Sequence, residues 1–378
     1  MSYDAIVIGL GGAGSATAMS LAKRGRHVLG IEQFTRAHEK GSSHGRSRVI
    51  RKAYFEDPRY VPLLIDAYRG WRCLEAETGA PLLSITGGLN LGSPKHECIR
   101  GVEESARQHG LRYERLEAAA LLERWPMLCL ESHEVGIYEE DAGILNPEEA
   151  VRAFLTMSEQ AGAELLFETV VEAVETHSTG VVVHAGGKSF SGRTLILATG
   201  AWSSGPGALV TPPLPLRVER QVQLWFHALP PEEHTSDKLT LLIRFFDDQS
   251  YYSLPDTGHG VKACRHHGGT ETSPNELDRD VHPVDIDDVR WFLERTIPGA
   301  NVDPHDARVC MYTNTSDDHF VIGPHPTHPH TWVATGFSGH GFKFMPVVGE
   351  ALAQLVLDGQ TNHAVELFHP FSREHTNR

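Results

Sequence analysis

Tyr3 to Ile8 (YDAIVI) is a short apolar run of strand composition that passes without a linker into Gly9-Leu10-Gly11-Gly12-Ala13-Gly14. An alanine-rich stretch with helical spacing follows as far as Arg24, and Gly25 is its natural stop. A second apolar run, His27 to Ile31, ends in Glu32. Strand, glycine turn, helix, strand and acid in this order predict a βαβ unit built around a dinucleotide. Gly9 permits the tight turn, Gly11 lets the backbone approach a pyrophosphate, and Gly14 lets helix and strand pack closely. The helix N-terminus offers free N–H groups and a favourable dipole to the anion, and Glu32 is placed to accept from a ribose 2′-OH. A bare G-x-G-x-x-G is a weak signal; the whole series in register is a strong one.

With 378 residues the chain is long enough for two domains. A net charge of −15 argues against general affinity for nucleic acid or anionic membrane. No apolar stretch is long enough to span a bilayer, and a first strand beginning at Tyr3 leaves no signal peptide to expect. Cys73, Cys98, Cys129, Cys264 and Cys310 are scattered, odd in number and without C-x-x-C spacing. That pattern points to a reducing, cytoplasmic setting and away from structural zinc. The run His325-Pro-Thr-His328-Pro-His330 reads as an exposed loop rather than a fixed ligand set, so no metal is expected.

Three segments share the texture of one α/β nucleotide domain: 1–85, 146–215 and 306–378. The second carries a helical pattern from Pro147 to Ala161 and the strand Arg193 to Ala198. The third carries the strand Thr331 to Ala334, the turn Gly336 to Gly341 and a final helix with Val347, Val348, Ala351, Leu352, Leu355 and Val356 on its apolar face. Residues 86–145 and 216–305 show short alternating runs with Pro and Gly punctuation, and predict one antiparallel-sheet substrate domain inserted twice. A site between the two domains is expected.

Four stretches outside the fingerprint hold residue types that carry chemistry. Gly41 to Lys52 concentrates His44, Arg46, Arg48, Arg51 and Lys52 in an acidic protein. It reads either as a solvated basic loop or as an anion site, since an arginine fork binds a carboxylate in two places. In Tyr251 to His267, alternation puts Lys262, Cys264 and His266 on one strand face. That face is either exposed or, if buried against a cofactor, a place for a fixed cation or a base. Cys310 taken alone is an ordinary buried thiol. Gly336 to Phe344 sets three glycines around His340 ahead of a helix, a second place for close backbone approach. Lys343 stands there against the helix dipole, which hints at a function.

Together the N-terminal fingerprint, GSSHGRSRVIRKAY (41–54), YYSLP and VKACRH (251–255 and 261–266), CMYTNTSDDHF (310–320) and GFSGHGFKF (336–344) resemble the monomeric sarcosine oxidase and N-methyltryptophan oxidase family of FAD enzymes over essentially the full length. The resemblance implies a Rossmann-type FAD-binding domain with an inserted α+β substrate domain. It implies FAD bonded through Cys310, with Gly9, Gly11, Gly14 and Glu32 at the ADP portion and Gly339, His340, Gly341 and Phe342 also on the cofactor. Arg51 and Lys343 match the pair that holds the substrate carboxylate, with Tyr312 another pocket residue. Lys262 matches the lysine that promotes reaction with O2. His266 and Tyr252 match residues lining the substrate pocket, and His44 and Arg48 residues beside the flavin ring.

The implied activity is oxidation of a secondary amino acid, N-methylated or cyclic, to an imine that water hydrolyses to amine plus aldehyde, with O2 reduced to H2O2 by a soluble monomer. A dehydrogenase using another acceptor, an oxidase of L-proline or L-pipecolate, and a silent flavin-binding scaffold are the competing readings. Arg46, Gly323 and Arg265 depart from the family pattern or add charge, and put the substrate side chain in question.

Overall fold

The computed structural model describes residues 2–205 and 208–369; residues 1, 206–207 and 370–378, assigned above to the nucleotide domain, lie outside the described residues. Five strands lie side by side in parallel: Thr331–Thr335, Lys188–Leu197, Ser2–Ile8, Val28–Ile31 and Glu164–Leu166. Ile6–Ile8, Val28–Ile31 and Leu195–Leu197, at the centre of this sheet, are apolar and buried, as expected of parallel strands covered on both faces. Antiparallel strands Val171–His177 and Gly180–Ala185 extend one end of the sheet, and Val321–Pro324 pairs with Thr331–Thr335.

The helix Gly12–Lys23 is buried along most of its length and packs between this sheet and the helices Pro147–Gln160 and Met345–Asp358. Small residues make the contact possible. A Cβ on Gly14 would lie 1.8 Å from the Gly9 carbonyl oxygen, and one on Gly349 would lie 2.5 Å from the Ala16 backbone. The expected turn, helix and flanking strands are therefore all present, and Glu32 directly follows Val28–Ile31.

A second, nine-stranded sheet is built from both inserted stretches. Arg217–Phe226, Val261–His266, Gln249–Leu254 and Leu241–Phe246 are antiparallel neighbours. Leu241–Phe246 then pairs in parallel with Gly88–Gly92, which is followed by Val135–Glu139 and Glu114–Glu117. The antiparallel sheet read from the sequence thus has one parallel junction. It falls where two separate excursions of the chain meet, a place where no hairpin dictates direction. The strand Pro304–Asn314 also joins this sheet, pairing along Arg217–Phe226, so residues 306–314 stand apart from the nucleotide sheet with which the sequence grouped them.

Alternation along Val261–His266 sorts the two faces. Val261 and Ala263 pack with Val289, Phe292 and Leu293 of the helix Pro283–Thr296, each fully buried apolar side chain being worth roughly 1.5–3 kcal/mol. Lys262 and Cys264 point the other way and are also buried. A small third sheet, Arg48–Ile50 with Gly143–Leu145 and Leu83–Ile85, lies near the junction of the larger two.

Candidate active site

A cleft of about 410 Å³ runs from the glycine turn, past Trp202 and Thr169, to Arg51 and Lys343. At one end Gly9, Gly11 and Glu32 form its wall. A Cβ on Gly11 would meet nothing nearer than the Ser43 hydroxyl at 3.6 Å, so the turn opens into free space there. The helix begins at Gly12 beside that space, and its first N–H donates to the Ser43 hydroxyl at 3.1 Å. Glu32 accepts from the Leu10 N–H (2.8 Å) and the Phe34 N–H (3.1 Å), which hold its carboxylate at the cleft edge. These features suit the phosphates and ribose of a dinucleotide.

The middle of the cleft is lined by Arg48, Gln223, Cys310 and Tyr312. Arg48 donates to the carbonyls of Ser47 (2.9 Å) and Ser42 (2.8 Å) and to Gln223 Oε1 (3.2 Å), and its Nη2 lies 3.8 Å from Cys310 Sγ. The Gln223 amide nitrogen and both ring nitrogens of His44 are buried with no partner among the described residues. Polar atoms left in this state are costly unless a further group meets them. Burial, with Arg48 and Lys262 nearby, lowers the His44 pKa to about 2, so its ring is neutral. Gly339 has φ +76°, and a Cβ there would lie 2.3 Å from the Tyr312 ring. Gly341, His340 and Phe342 line the same wall. Cleft shape, donor set and unmet polar atoms fit FAD.

Lys262 stands behind this wall, not in it. Its side chain is buried and its ammonium donates to the carbonyls of Gly45 and Ser47, each at 2.9 Å. The Ser47 carbonyl thus receives both Lys262 and Arg48. Burial, with Arg48 adding to it, lowers the Lys262 pKa from 10.5 to about 7. The exposed-strand reading of Lys262, Cys264 and His266 is overturned, as is the solvated-loop reading of the basic segment: His44, Ser47 and Arg51 are buried.

At the far end Arg51, Glu56, Lys343, Tyr252, His266 and Phe55 converge. Arg51 Nη1 donates to the Ala53 carbonyl (2.6 Å), Nη2 reaches both Glu56 oxygens, and Nε is buried without a partner among the described residues. Lys343 Nζ donates to the His340 carbonyl (2.6 Å) and to the Tyr54 oxygen (3.2 Å). Burial, with Arg51 beside it, lowers its pKa to about 7. His266 Nδ1 shares a hydrogen with the Tyr312 hydroxyl (3.2 Å), and burial drives its pKa well below the usual 6.5. Tyr252 is half-buried, and desolvation pushes its phenol well above 10.

Two of the three questioned positions carry charges met by an internal acid. Arg46 pairs with Asp306 at 2.6 Å. Arg265 borders the cleft, but its guanidinium reaches Asp288 (3.5 Å) on the helix Pro283–Thr296. Gly323 lies on the strand Val321–Pro324 and is not among the residues lining the cleft. Sequence reasoning missed Glu56, Tyr54 and Gln223. The first two fall within five residues of Arg51 and were open to notice. Gln223 comes from a different sheet, and nothing local marks it.

A model of the FAD dependent oxidoreductase family matches residues 4–355. A monomeric sarcosine oxidase from Streptomyces avermitilis is 40% identical over 382 aligned positions, covering 98% of this chain and 97% of that protein. An N-methyl-L-tryptophan oxidase from Salmonella arizonae is 33% identical over 95% of each chain. Among solved structures, L-proline dehydrogenase from P. horikoshii superimposes with a TM-score of 0.85 at 24% identity, covering 98% of this chain and 97% of that one, and so shares the fold.

Proposed function

The chain belongs to the FAD dependent oxidoreductase family, and on that premise we propose that it removes two hydrogens from the C–N bond of a small secondary amino acid whose carboxylate is gripped by Arg51 and Lys343. It is an FAD-dependent oxidoreductase acting on CH–NH bonds. The observation that carries the reading is the meeting of two buried cations, Arg51 and Lys343, in a cleft that is also lined by the dinucleotide turn.

Bound in that cleft, FAD supplies the two-electron acceptor that the chain's own side chains lack. The protein's part is positioning and charge. Arg51 offers a planar fork and Lys343 a point charge, together suited to a carboxylate. Holding the acid at this end fixes the amine and its neighbouring C–H along the cleft, and such positioning can lower a barrier by up to about 7–11 kcal/mol. His266 is neutral and oriented by Tyr312, so it can hydrogen-bond the substrate amine without adding charge beside it. Tyr252 closes the same wall. Water then hydrolyses the imine to amine and aldehyde.

We assign Lys262, coupled to Arg48 through the Ser47 carbonyl, the role of a fixed cation for negative charge developing on dioxygen. Cys310, at the cleft wall beside Arg48, is the point of covalent attachment in this reading. Cys73, Cys98, Cys129 and Cys264, which form no disulfide, fit a reducing, cytoplasmic setting, and among the described residues no helix is long and apolar enough to cross a membrane. A monomeric state belongs to the same reading. Functionally we divide the chain into 1–85, 146–215 and 306–378, which hold the cofactor, and 86–145 and 216–305, which roof the substrate end.

The test is an anaerobic screen of N-methyl and cyclic amino acids side by side, followed by admission of O2. Bleaching of the flavin by at least one of them, with peroxide formed on reoxidation, supports the oxidase. Bleaching without peroxide supports the dehydrogenase alternative, and a flavin that no secondary amino acid bleaches removes the proposal.

A further inference from the structure

Lys343 reaches the substrate end of the cleft through a chain of buried hydrogen bonds whose direction can be worked out. His340 Nε2 lies 2.9 Å from the backbone carbonyl oxygen of Asp318. A carbonyl only accepts, so this nitrogen carries the hydrogen. Burial holds the His340 pKa down at about 3, and the ring is neutral. Its other nitrogen, Nδ1, is therefore an acceptor. Tyr54 Oη is 2.6 Å from it and must donate its only hydrogen there. The Tyr54 oxygen is left with lone pairs alone, and Lys343 Nζ donates to it at 3.2 Å. A second Lys343 hydrogen goes to the His340 carbonyl at 2.6 Å, which leaves the third for the cleft that Lys343 lines.

We propose that Tyr54 and His340 are positioning residues of the carboxylate clamp: the chain from the Asp318 carbonyl through His340 and Tyr54 sets the direction in which Lys343 presents its ammonium to a substrate acid. The arrangement is rigid. Tyr54 and Phe344 are fully buried; Tyr54, Tyr60 and Phe320 pack around His340, and Phe344 packs against those three rings. Reversing any one donor would place two hydrogens, or two lone pairs, against each other. The chain also favours the charged amine, because the Tyr54 oxygen and the His340 carbonyl each accept from it. The other groups that act on this ammonium are Arg51 and His266, which disfavour its charge or stay neutral, and Glu56, which favours it. The inference rests on the clamp reading given above.

The experiment is titration of the FAD-loaded protein with acetate, followed by the perturbation of its visible flavin absorption, across pH 6 to 9 for the parent, Tyr54→Phe, His340→Leu, His340→Asn and Lys343→Met. Tyr54→Phe keeps ring and volume and removes one hydrogen bond to a charged group. We expect acetate to bind about tenfold more weakly. Its affinity should also fall away at a lower pH than in the parent, with flavin content unchanged. His340→Leu, compared per bound flavin, should weaken acetate and shift its pH limb as Tyr54→Phe does. His340→Asn can still offer an oxygen to the Tyr54 hydroxyl, and should recover most of the affinity. If Lys343→Met weakens acetate while Tyr54→Phe leaves both the affinity and its pH limb in place, or if the Asn and Leu variants at position 340 are equally impaired, the chain does not position the clamp. If Lys343→Met itself leaves acetate binding unaltered, the clamp assignment fails first.

Discussion

Arg51 Nη2 holds both carboxylate oxygens of Glu56, at 3.2 and 3.0 Å, inside the cleft proposed to receive a substrate's own carboxylate. The guanidinium is also stacked 4.4 Å from the Tyr54 ring centroid and 4.5 Å from that of Phe55. An acid entering the clamp therefore competes with an internal acid for Nη2, while Nε stays open to it. Removing that competitor should help the ligand and harm the fold. We expect Glu56→Gln to tighten acetate binding by about tenfold at neutral pH, and to lower the thermal midpoint because a buried cation loses its charged partner. Equal or weaker acetate binding in this variant would show that Glu56 does not occupy the carboxylate's place.

Cys310 provides a second test. Its sulfur lies at the cleft wall, 3.8 Å from Arg48 Nη2, where a cation favours sulfur chemistry. Acid-precipitated protein should stay yellow, and Cys310→Ser should release the colour into the supernatant. A colourless pellet from the parent protein removes Cys310 from covalent attachment and leaves FAD binding untouched.

The two half-reactions should separate at Lys262. Its ammonium serves the Gly45 and Ser47 carbonyls, behind the cleft wall and away from the substrate end. Lys262→Met should slow reoxidation of the reduced flavin by O2 about a hundredfold or more, the scale seen when one preorganised electrostatic group is removed. Reduction of the flavin by substrate should change less than tenfold. Because burial lowers the Lys262 pKa to about 7, the parent's reoxidation rate should decline as pH rises through that value. Stopped-flow traces of both phases check this, and equal losses in the two would refute the assignment.

Acid lability follows from the buried histidines. Burial, reinforced by nearby cations, places His44 at about 2. Burial likewise lowers His340 to about 3 and His266 well below 6.5. Unfolded, each would bind a proton below about pH 6.5. The unfolded chain thus takes up protons that the fold refuses, so stability is retained above pH 6.5 and lost as pH falls below it. Each such group steepens the loss by about 1.4 kcal/mol per pH unit. His44→Asn should make the dependence of the urea midpoint on pH shallower between pH 6 and 4 by one such group. An unchanged slope would mean that His44 is not held neutral.

Local pattern carried the nucleotide end almost whole, since every part of that fingerprint, from Gly9 to Glu32, lies within one βαβ unit. Arg51, Lys262, His266 and Lys343 were legible as candidates because short glycine-rich or alternating segments surround them. Their joint placement was not. It depends on the small sheet that ties Arg48–Ile50 to Gly143–Leu145, and on a parallel junction between strands more than a hundred residues apart. The layering of Lys262 behind Arg48 turns on one shared carbonyl, which no spacing reveals. The ion pairs of Arg46 with Asp306 and of Arg265 with Asp288 join separate elements, and no local spacing reveals them.

The claim that an acid-bearing amine is clamped by Arg51 and Lys343 is tested most directly with a matched pair of substrates. Sarcosine and dimethylamine share the N-methyl amine and differ by the carboxylate. Under anaerobic conditions we expect sarcosine, or the best N-methyl amino acid from the screen against its decarboxylated counterpart, to bleach the flavin at least about a thousandfold more efficiently than the plain amine, the scale of losing a bidentate ionic grip and the positioning it enforces. Comparable bleaching by both members of the pair would contradict the account.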